Sequence, residues 1–395
     1  MPLVSSQEEV RRHNLGSLLR HVHLLGPTSR AQLTILMGLN RSTIGALTAD
    51  LIAAGLVREE LPQGRRGTGR PSLVVRPASE RVYVYAFSIG VDRVVAARVG
   101  LGGLVLDRRE AVHPRGSLNS DDVLRILSNF FDEMRRTAPI GGSCVGAGTA
   151  VSGMVRQPDG LVSFGPNLGW RDEPLGGRLS QIVDERVAIG NDADLGALAE
   201  HARGVAAGCT DLVYLHGDVG IGGGVITSGR LLGGHDGYGG EVGHMVVNPV
   251  GRMCTCGSRG CWETEIGERA LLEAAGRPLD SGQAGVRAII EAAARGDSDA
   301  QEALRKVGDW VGFGVANLIN IFNPQMVVFG GMLRDVYLAS AAQVRGRLNR
   351  MSLLAAREPV KLRTPGRGED LLLIGASELA FARLLENPLD VGGSP

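Results

Sequence analysis

The chain has 395 residues, enough for two or three domains, with 44% hydrophobic and 21% charged residues, an ordinary globular composition. Aromatics are scarce at 4% while glycine reaches 58 residues, which favours a loop-rich α/β protein over a β-sandwich. Net charge is zero overall, yet residues 1–77 hold ten Arg, no Lys and five acidic residues, a basic head on an acidic body that suggests a nucleic-acid-binding module. No run of about 18 apolar residues exists, so no membrane span is expected. The segment "MPLVSSQEEVRRHN" lacks the apolar core of a signal peptide. The expected location is therefore cytoplasmic, where clustered cysteines point to metal rather than disulfide.

The head opens with "NLGSLLRHVHLLG" (14–26), which places Leu15, Leu18, Leu19, Val22 and Leu25 on one helix face. "TSRAQLTILMGLN" follows, with Ser29 and Gln32 in capping-box spacing, Leu33 and Leu36 inward, and a stop at Gly38. A third helix over "NRSTIGALTADLIAAG" takes Asn40 as its N-cap and turns Ile44, Leu47, Leu51 and Ile52 inward. Two helices joined by a short glycine turn predict a helix-turn-helix. "LVREEL" and "SLVVRP" then read as two strands of a wing around the loop "PQGRRGTGRP". In that arrangement Arg41, Ser42 and Thr43 face base edges in the major groove, and Arg65, Arg66 and Arg70 suit phosphates or a narrow minor groove.

From residue 82 strands and helices alternate. "VYVYAFSIG", "VVAARVG" and "GLVLDRREAV" read as strands, and "DDVLRILSNFFDEMRR" as a helix. "CVGAGTAVSGMV" is an apolar strand, "RVAIGNDADLGALAEHARG" a strand running into a helix, and "DLVYLHGDVGIGGGVITSG" a strand followed by a glycine-rich turn. One long helical stretch is predicted over roughly 283–320, then a buried strand in "PQMVVFGGML". The pattern implies an α/β body large enough for two lobes and a cleft.

A winged helix followed by "PNLGW", "NDADLGALAE", "GIGGGVI", "EVGHMVVNPVGRMCTCGSRGCWE" and "VVFGG" resembles the ROK family (repressor, open reading frame, kinase) over nearly the whole chain. The resemblance implies a two-lobed body similar to actin and hexokinase, a ribonuclease H-like α/β fold. It gives a division into a winged helix-turn-helix at 1–77, a first lobe at 78–190 and a second lobe at 191–395, with the last helix free to return to the first lobe. Members of the family are sugar kinases or sugar-responsive transcription factors, and fold alone does not choose between them.

His244, Cys254, Cys256 and Cys261 form H-x9-C-x-C-x4-C, a donor set suited to a tetrahedral structural zinc, with Gly257 and Gly260 permitting the turns between ligands. The family carries zinc on this pattern. Cys144 and Cys209 read as small core residues. The resemblance also implies sugar contacts at Asn167, Asn191, Asp192, Glu241, His244 and Glu263. His244 would then serve zinc with one ring nitrogen and a hydroxyl with the other.

In the kinases the counterpart of Asp192 is the base that deprotonates the sugar hydroxyl. Phosphoryl transfer also needs phosphate cradles. The family's first phosphate motif, Asp-x-Gly-Gly-Thr, aligns with "SIGVD", so Ser88, Val91 and Asp92 replace Asp, Gly and Thr. The second, Gly-Thr-Gly-x-Gly-x-Gly, aligns with "DVGIGGG", where Asp218 and Val219 replace Gly and Thr. Carboxylates near both phosphate positions oppose ATP by like charge. The reading is therefore a sugar-responsive DNA-binding regulator, a repressor without ATP and with no catalytic residue. Its expected partners are a double-stranded DNA operator, a small sugar effector and further copies of itself as a dimer or tetramer, with no membrane. The alternatives are an active sugar kinase carrying a DNA-binding head, and a cleft that has lost sugars and takes a protein.

Overall fold

In the computed structural model, which describes residues 7–62, 72–366, 368 and 370–390, the head begins with α1 (Gln7–Leu25). Leu15, Leu18, Leu19 and Val22 form its buried stripe, but Leu25 projects into solvent at the helix end. The helix starts about two turns before its apolar periodicity does. Residues 7–13 bury little and rely on charge: Glu8 and Glu9 lie in the first turn, and Arg11 bonds Asp50 at 2.7 Å.

A short β1 (Thr28–Ser29) leads into α2 (Arg30–Met37). Its capping box joins Ser29 and Gln32, and Gly38 ends it at φ 64°. Leu33 is buried, whereas Leu36 is exposed rather than inward. Asn40 caps α3 (Arg41–Ala53) by accepting from the Thr43 N–H at 2.8 Å. Ile52 also faces outward. Its expected place is taken by Thr48, whose hydroxyl satisfies itself on the Ile44 carbonyl at 2.7 Å. The strands β2 (Val57–Glu60) and β3 (Val74–Pro77) pair antiparallel and complete a sheet in the order β1-β3-β2, giving a winged helix-turn-helix. The wing arginines Arg65, Arg66 and Arg70 lie outside the described residues.

The first body sheet runs through β4 (Val82–Ile89), β5 (Arg93–Gly100) and β6 (Leu104–Val112), then α4 (Ser120–Arg136) and β7 (Ser143–Val151). A separate antiparallel sheet follows, of β8 (Met154–Arg156), β9 (Leu161–Gly165) and β10 (Trp170–Glu173), then α5 (Leu175–Val183) and β11 (Val187–Asn191). The large sheet has the order β11-β7-β4-β5-β6, parallel across β11, β7 and β4. Its β4 is buried along its whole length, so period-2 alternation gives way to a continuous apolar run.

Helix α6 (Asp192–Arg203) leads to the second sheet: β12 (Leu212–Gly217), β13 (Ile221–Thr227) and β14 (Arg230–Leu231). A 3-10 turn at Val242–His244 precedes the cysteine loop. Helices α7 (Glu263–Ile266), α8 (Glu268–Ala274), α9 (Gly282–Ala294) and α10 (Ser298–Phe322) follow, then β15 (Met326–Gly331), α11 (Met332–Met351), α12 (Leu354–Arg357), β16 (Lys361–Arg363) and α13 (Leu371–Glu386). The sheet order is β14-β13-β12-β15-β16. The chain returns at its end, since α13 packs on β4 and β7 of the first sheet and on α6.

The structure corrects three sequence expectations. The stretch at 283–320 is two helices, because Gly296 takes φ 94° and Asp297 caps α10 by accepting from the Ala300 N–H. The glycines at 222–224 are strand, not turn: they lie in β13, paired with Leu215 and its neighbours on β12. A Cβ on Gly222 would come within 2.8 Å of the Ala193 Cβ and one on Gly224 within 2.6 Å of the Ala197 Cβ, so these two glycines admit α6 against the strand. Cys144 and Cys209 are half-buried beside the cores rather than within them.

Candidate functional site

A cavity of about 510 Å³ opens where the β7, β11 and β12 strand ends meet the cysteine loop, within the range of small-molecule sites. Asn167, Asn191, Asp192, Glu241, His244 and Glu263 all line it. They come from four separate segments, so the fold gathers the whole set named from sequence.

Their roles differ once their partners are counted. Asn191, not Asp192, is the N-cap of α6: its Oδ1 accepts from the Ala193 and Asp194 N–H groups at 2.8 and 3.3 Å. Its Nδ2 donates to the Gly153 carbonyl at 2.9 Å, so most of this amide is spent on backbone. Asp192 is the first helical residue. Its Oδ1 accepts from the Ala193 N–H at 2.8 Å and its Oδ2 from the Ser152 hydroxyl at 2.5 Å. Ser152 was not singled out from sequence, and only its place after the β7 glycines hints at it. Glu263 opens α7, and its Oε2 accepts from the Ile221 N–H at 3.2 Å. Asn167 sits in the β9–β10 turn across from Gly220.

Four carboxylates share this region, and their mutual repulsion shows. Burial, with Asp192 and Glu263 nearby and His244 opposing them, pushes Glu241 above the usual carboxylate range. Behind the wall, buried Asp194 is pushed up to about 8 by burial and then by Glu241 and Asp192. Its Oδ1 has no hydrogen-bond partner. Asp194 is a further functional-region residue that sequence reasoning missed, because only the fold places it between two other acids.

The ligand atoms of His244, Cys254, Cys256 and Cys261 lie within 4.8 Å of one another. Cys254 Sγ is 3.6 Å from His244 Nδ1, and Cys256 Sγ is 3.6 Å from Cys261 Sγ. Donors at roughly 2.0–2.3 Å from a common ion in tetrahedral array stand about 3.5–3.8 Å apart, so these spacings fit a metal ion. Gly257 and Gly260 take φ 89° and 72°, as the loop turns require. Nδ1 of His244 faces the thiols, while Nε2 points toward Glu241, 3.9 Å from its Oε2. Next to the last cysteine, Trp262 is fully buried and donates its Nε1–H to the Trp310 carbonyl at 2.8 Å. The indole pins the end of the loop to α10, and Glu263 follows directly.

Val91, Asp218, Val219 and Gly220 also line the cavity, which brings both altered glycine motifs to the same space. Here Arg115, reaching from the β6–α4 connection, makes a paired contact with Glu268 of α8 at 2.6 and 3.0 Å. It also lies 4.0 Å from Asp218, which Gln283 bonds at 2.7 Å. The Glu268 contact, against a burial cost, together with Asp218 and Asp92 holds the Arg115 guanidinium above its ordinary value. Of the carboxylates at the two motif positions, Asp218 thus lies beside a cation, while Asp92 bonds Arg93 at 3.4 Å.

On the head, Arg41 and Ser42 are exposed at the start of α3 and Thr43 is half-buried. The Ser42 hydroxyl donates to Asn40 Oδ1 at 2.7 Å, tying it to the cap, whereas Arg41 projects freely from the helix N-terminus.

Comparison with known proteins agrees with this construction. The chain is 28% identical to the xylose repressor of Bacillus subtilis over 97% of its own length and 98% of that protein. It is 26% identical to the DNA-binding dual regulator NagC of Escherichia coli, over 90% of this chain and 89% of that one. Among solved structures, a ROK family transcriptional regulator described as a homologue of the Escherichia coli MLC protein superposes with TM-score 0.78 at 25% identity, over 97% and 99% of the two chains. A ROK glucokinase from Streptomyces griseus, solved with glucose and AMPPNP, superposes at TM-score 0.66 and 28% identity, over 99% of its length but 76% of this chain. The ROK family model matches residues 84–383, beginning just past the winged head, and the chain belongs to the ROK family.

Proposed function

We propose that this protein is a sugar-responsive transcriptional repressor that binds operator DNA through its winged head and a small sugar through the body cavity. The observation that carries the reading is the pairing of that head with a cavity that gathers carboxylate and amide groups, while Asp218 on its wall lies beside the Arg115–Glu268 pair. Polyhydroxylated ligands need such paired acceptors on a rigid frame. Asp192, Glu241 and Glu263 accept from sugar hydroxyls, Asn167 donates, and Asn191 holds the α6 terminus in place. His244 Nε2 addresses a hydroxyl, with its tautomer set by the ion on Nδ1.

His244, Cys254, Cys256 and Cys261 hold a zinc ion in this reading. Four protein donors leave no open position, so the ion is structural, and it fixes the loop that carries Glu241 and Glu263 on its two flanks. Burial pushes the Cys254 thiol above its ordinary value, a penalty that a cation reverses by binding the thiolate.

No kinase activity is expected. Asp192 stands at the base position, but Asp92 and Asp218 replace the phosphate-binding threonine and glycine, and Arg115 is already paired with Glu268. Arg41 reads bases or phosphates in the major groove, with the arginines at 65, 66 and 70 on adjacent phosphates. A two-fold dimer would place two heads on a palindromic operator.

The deciding experiment is a gel shift on the protein's own upstream region, repeated with hexoses, pentoses and N-acetyl amino sugars. A sugar that shifts operator affinity supports the reading. Sugar-dependent ATP turnover that disappears in Asp192→Asn would overturn the non-enzymatic part.

A further inference from the structure

We propose that α6 is the mechanical link between the effector cavity and the DNA-binding head, acting through a buried joint of Arg203, Glu378 and His23. The inference rests on the reading that the cavity takes a sugar and the head takes DNA.

One end of α6 is cavity wall: Asn191 caps it and Asp192 is its first residue. Twelve residues and about 18 Å later the helix ends on Arg203. There Arg203 Nε donates to Glu378 Oε1 at 2.5 Å, and a terminal nitrogen donates to the His23 carbonyl at 2.9 Å. Glu378 lies on α13, and its Oε2 stands 3.0 Å from His23 Nε2. The Gly102 N–H donates to His23 Nδ1 at 2.9 Å, so Nε2 carries the proton and donates to Glu378. None of the three side chains is more than 5% exposed. His23 lies in the last turn of α1, and α1 packs directly on the recognition helix α3. The joint therefore reaches the DNA-reading element through a single helix–helix contact.

Between its ends, α6 is wedged between elements of both sheets. It packs on α13 and β11 on one side and on β12 and β13 on the other. The approaches are too close for slack. A Cβ on Gly222 would fall 2.8 Å from the Ala193 Cβ, and one on Gly375 would strike the Leu195 carbonyl. At the head, a Cβ on Gly16 would lie 2.6 Å from the Leu385 carbonyl, and one on Gly103 2.5 Å from Arg203 Nε. Contacts this tight shift between discrete packings rather than stretching. A ligand that closes the lobes around Asp192 must then move α6 with one of them, and the joint carries that movement into α1.

A joint that only fastens the head would affect stability, not response. The two are separated by measuring operator affinity with and without saturating sugar, and sugar affinity by calorimetry, for the full-length protein and for Glu378→Gln and His23→Gln. The wild-type sugar effect is expected in the range of about 5- to 150-fold. In both variants sugar affinity should stay within about twofold of wild type, while the sugar effect on DNA falls toward unity. A folded variant with the full wild-type effect overturns the link. Hydrogen exchange on the wild type tests it without mutation: sugar must change protection in the last turns of both α6 and α1, and unchanged protection at either end overturns it. A wild type that binds no sugar at all overturns the functional reading instead, and the link falls with it.

Discussion

Two sets of acids around the cavity teach different lessons about what a fold retains. In the first, the acids are anchored by neighbouring backbone and side chains: Asp192 by Ser152 and the Ala193 N–H, Glu263 by the Ile221 N–H and by its place next to buried Trp262. In the second, at the altered motif positions, Asp218 lies 4.0 Å from Arg115 and Asp92 bonds Arg93. Recognition of a neutral polyol depends on oriented acceptors, which helix termini and a rigid loop provide. Recognition of a triphosphate depends on free donors and positive potential, whereas Arg115 beside Asp218 is already matched to Glu268.

The contrast is broken most forcefully through the metal cluster. Cys256→Ser should take bound zinc from about one ion per chain toward none and weaken sugar binding by about 10-fold or more, read by elemental analysis and calorimetry. A metal-free variant with wild-type sugar affinity would separate the ion from the sugar wall. Next in size are Asp192→Asn and Glu263→Gln. Each removes a charge-assisted hydrogen bond of about 1.5–3 kcal/mol, so sugar affinity should fall about 10- to 100-fold while sugar-free operator binding is unchanged. Beside Asp218, Arg115→Ala leaves the buried Glu268 without its cation. A loss of about 1–3 kcal/mol and a fall in Tm of a few degrees are expected. Equal Tm values would mean that the pair adds nothing.

A separate effect concerns pH. Asp194 is held near 8 against an ordinary value of 3.8, so the folded chain keeps a proton that the unfolded chain has released between those values. This group therefore costs stability progressively as pH rises from about 4 to about 8, and no further above that. Asp194→Asn removes the dependence, and its Tm should gain on wild type steadily from pH 5 to pH 8. A constant difference across that range would show that Asp194 ionises normally.

Much of this was legible in the sequence where the signal is local. The Ser29–Gln32 box, the Asn40 cap and the stop at Gly38 are each decided within four residues. The metal set was readable because donor types and glycines fall at fixed intervals. Inward positions were less secure. Ile52 and Leu36 have the right character but lie on helix faces that the next element leaves uncovered, while Thr48 fills the core by bonding its own backbone. Contacts across long separations were invisible: Arg115 meets Glu268 153 residues away, and His23 meets Glu378 355 residues away. The sequence names the Asn191–Asp192 pair but not which of the two caps α6, since either residue type can cap a helix and only the backbone geometry chooses.

The glycines of β13 carry a consequence for how relatedness is recognised. Gly222 and Gly224 are required by the approach of α6 and Gly223 by that of Val242 and Gly240, whatever the cavity binds. A search keyed to the glycine spacing alone would weigh packing against these neighbours, whereas one keyed to positions 218 and 219 would weigh residues that line the cavity. The informative letters of such a motif are those that touch the ligand, and the others answer to the packing around them.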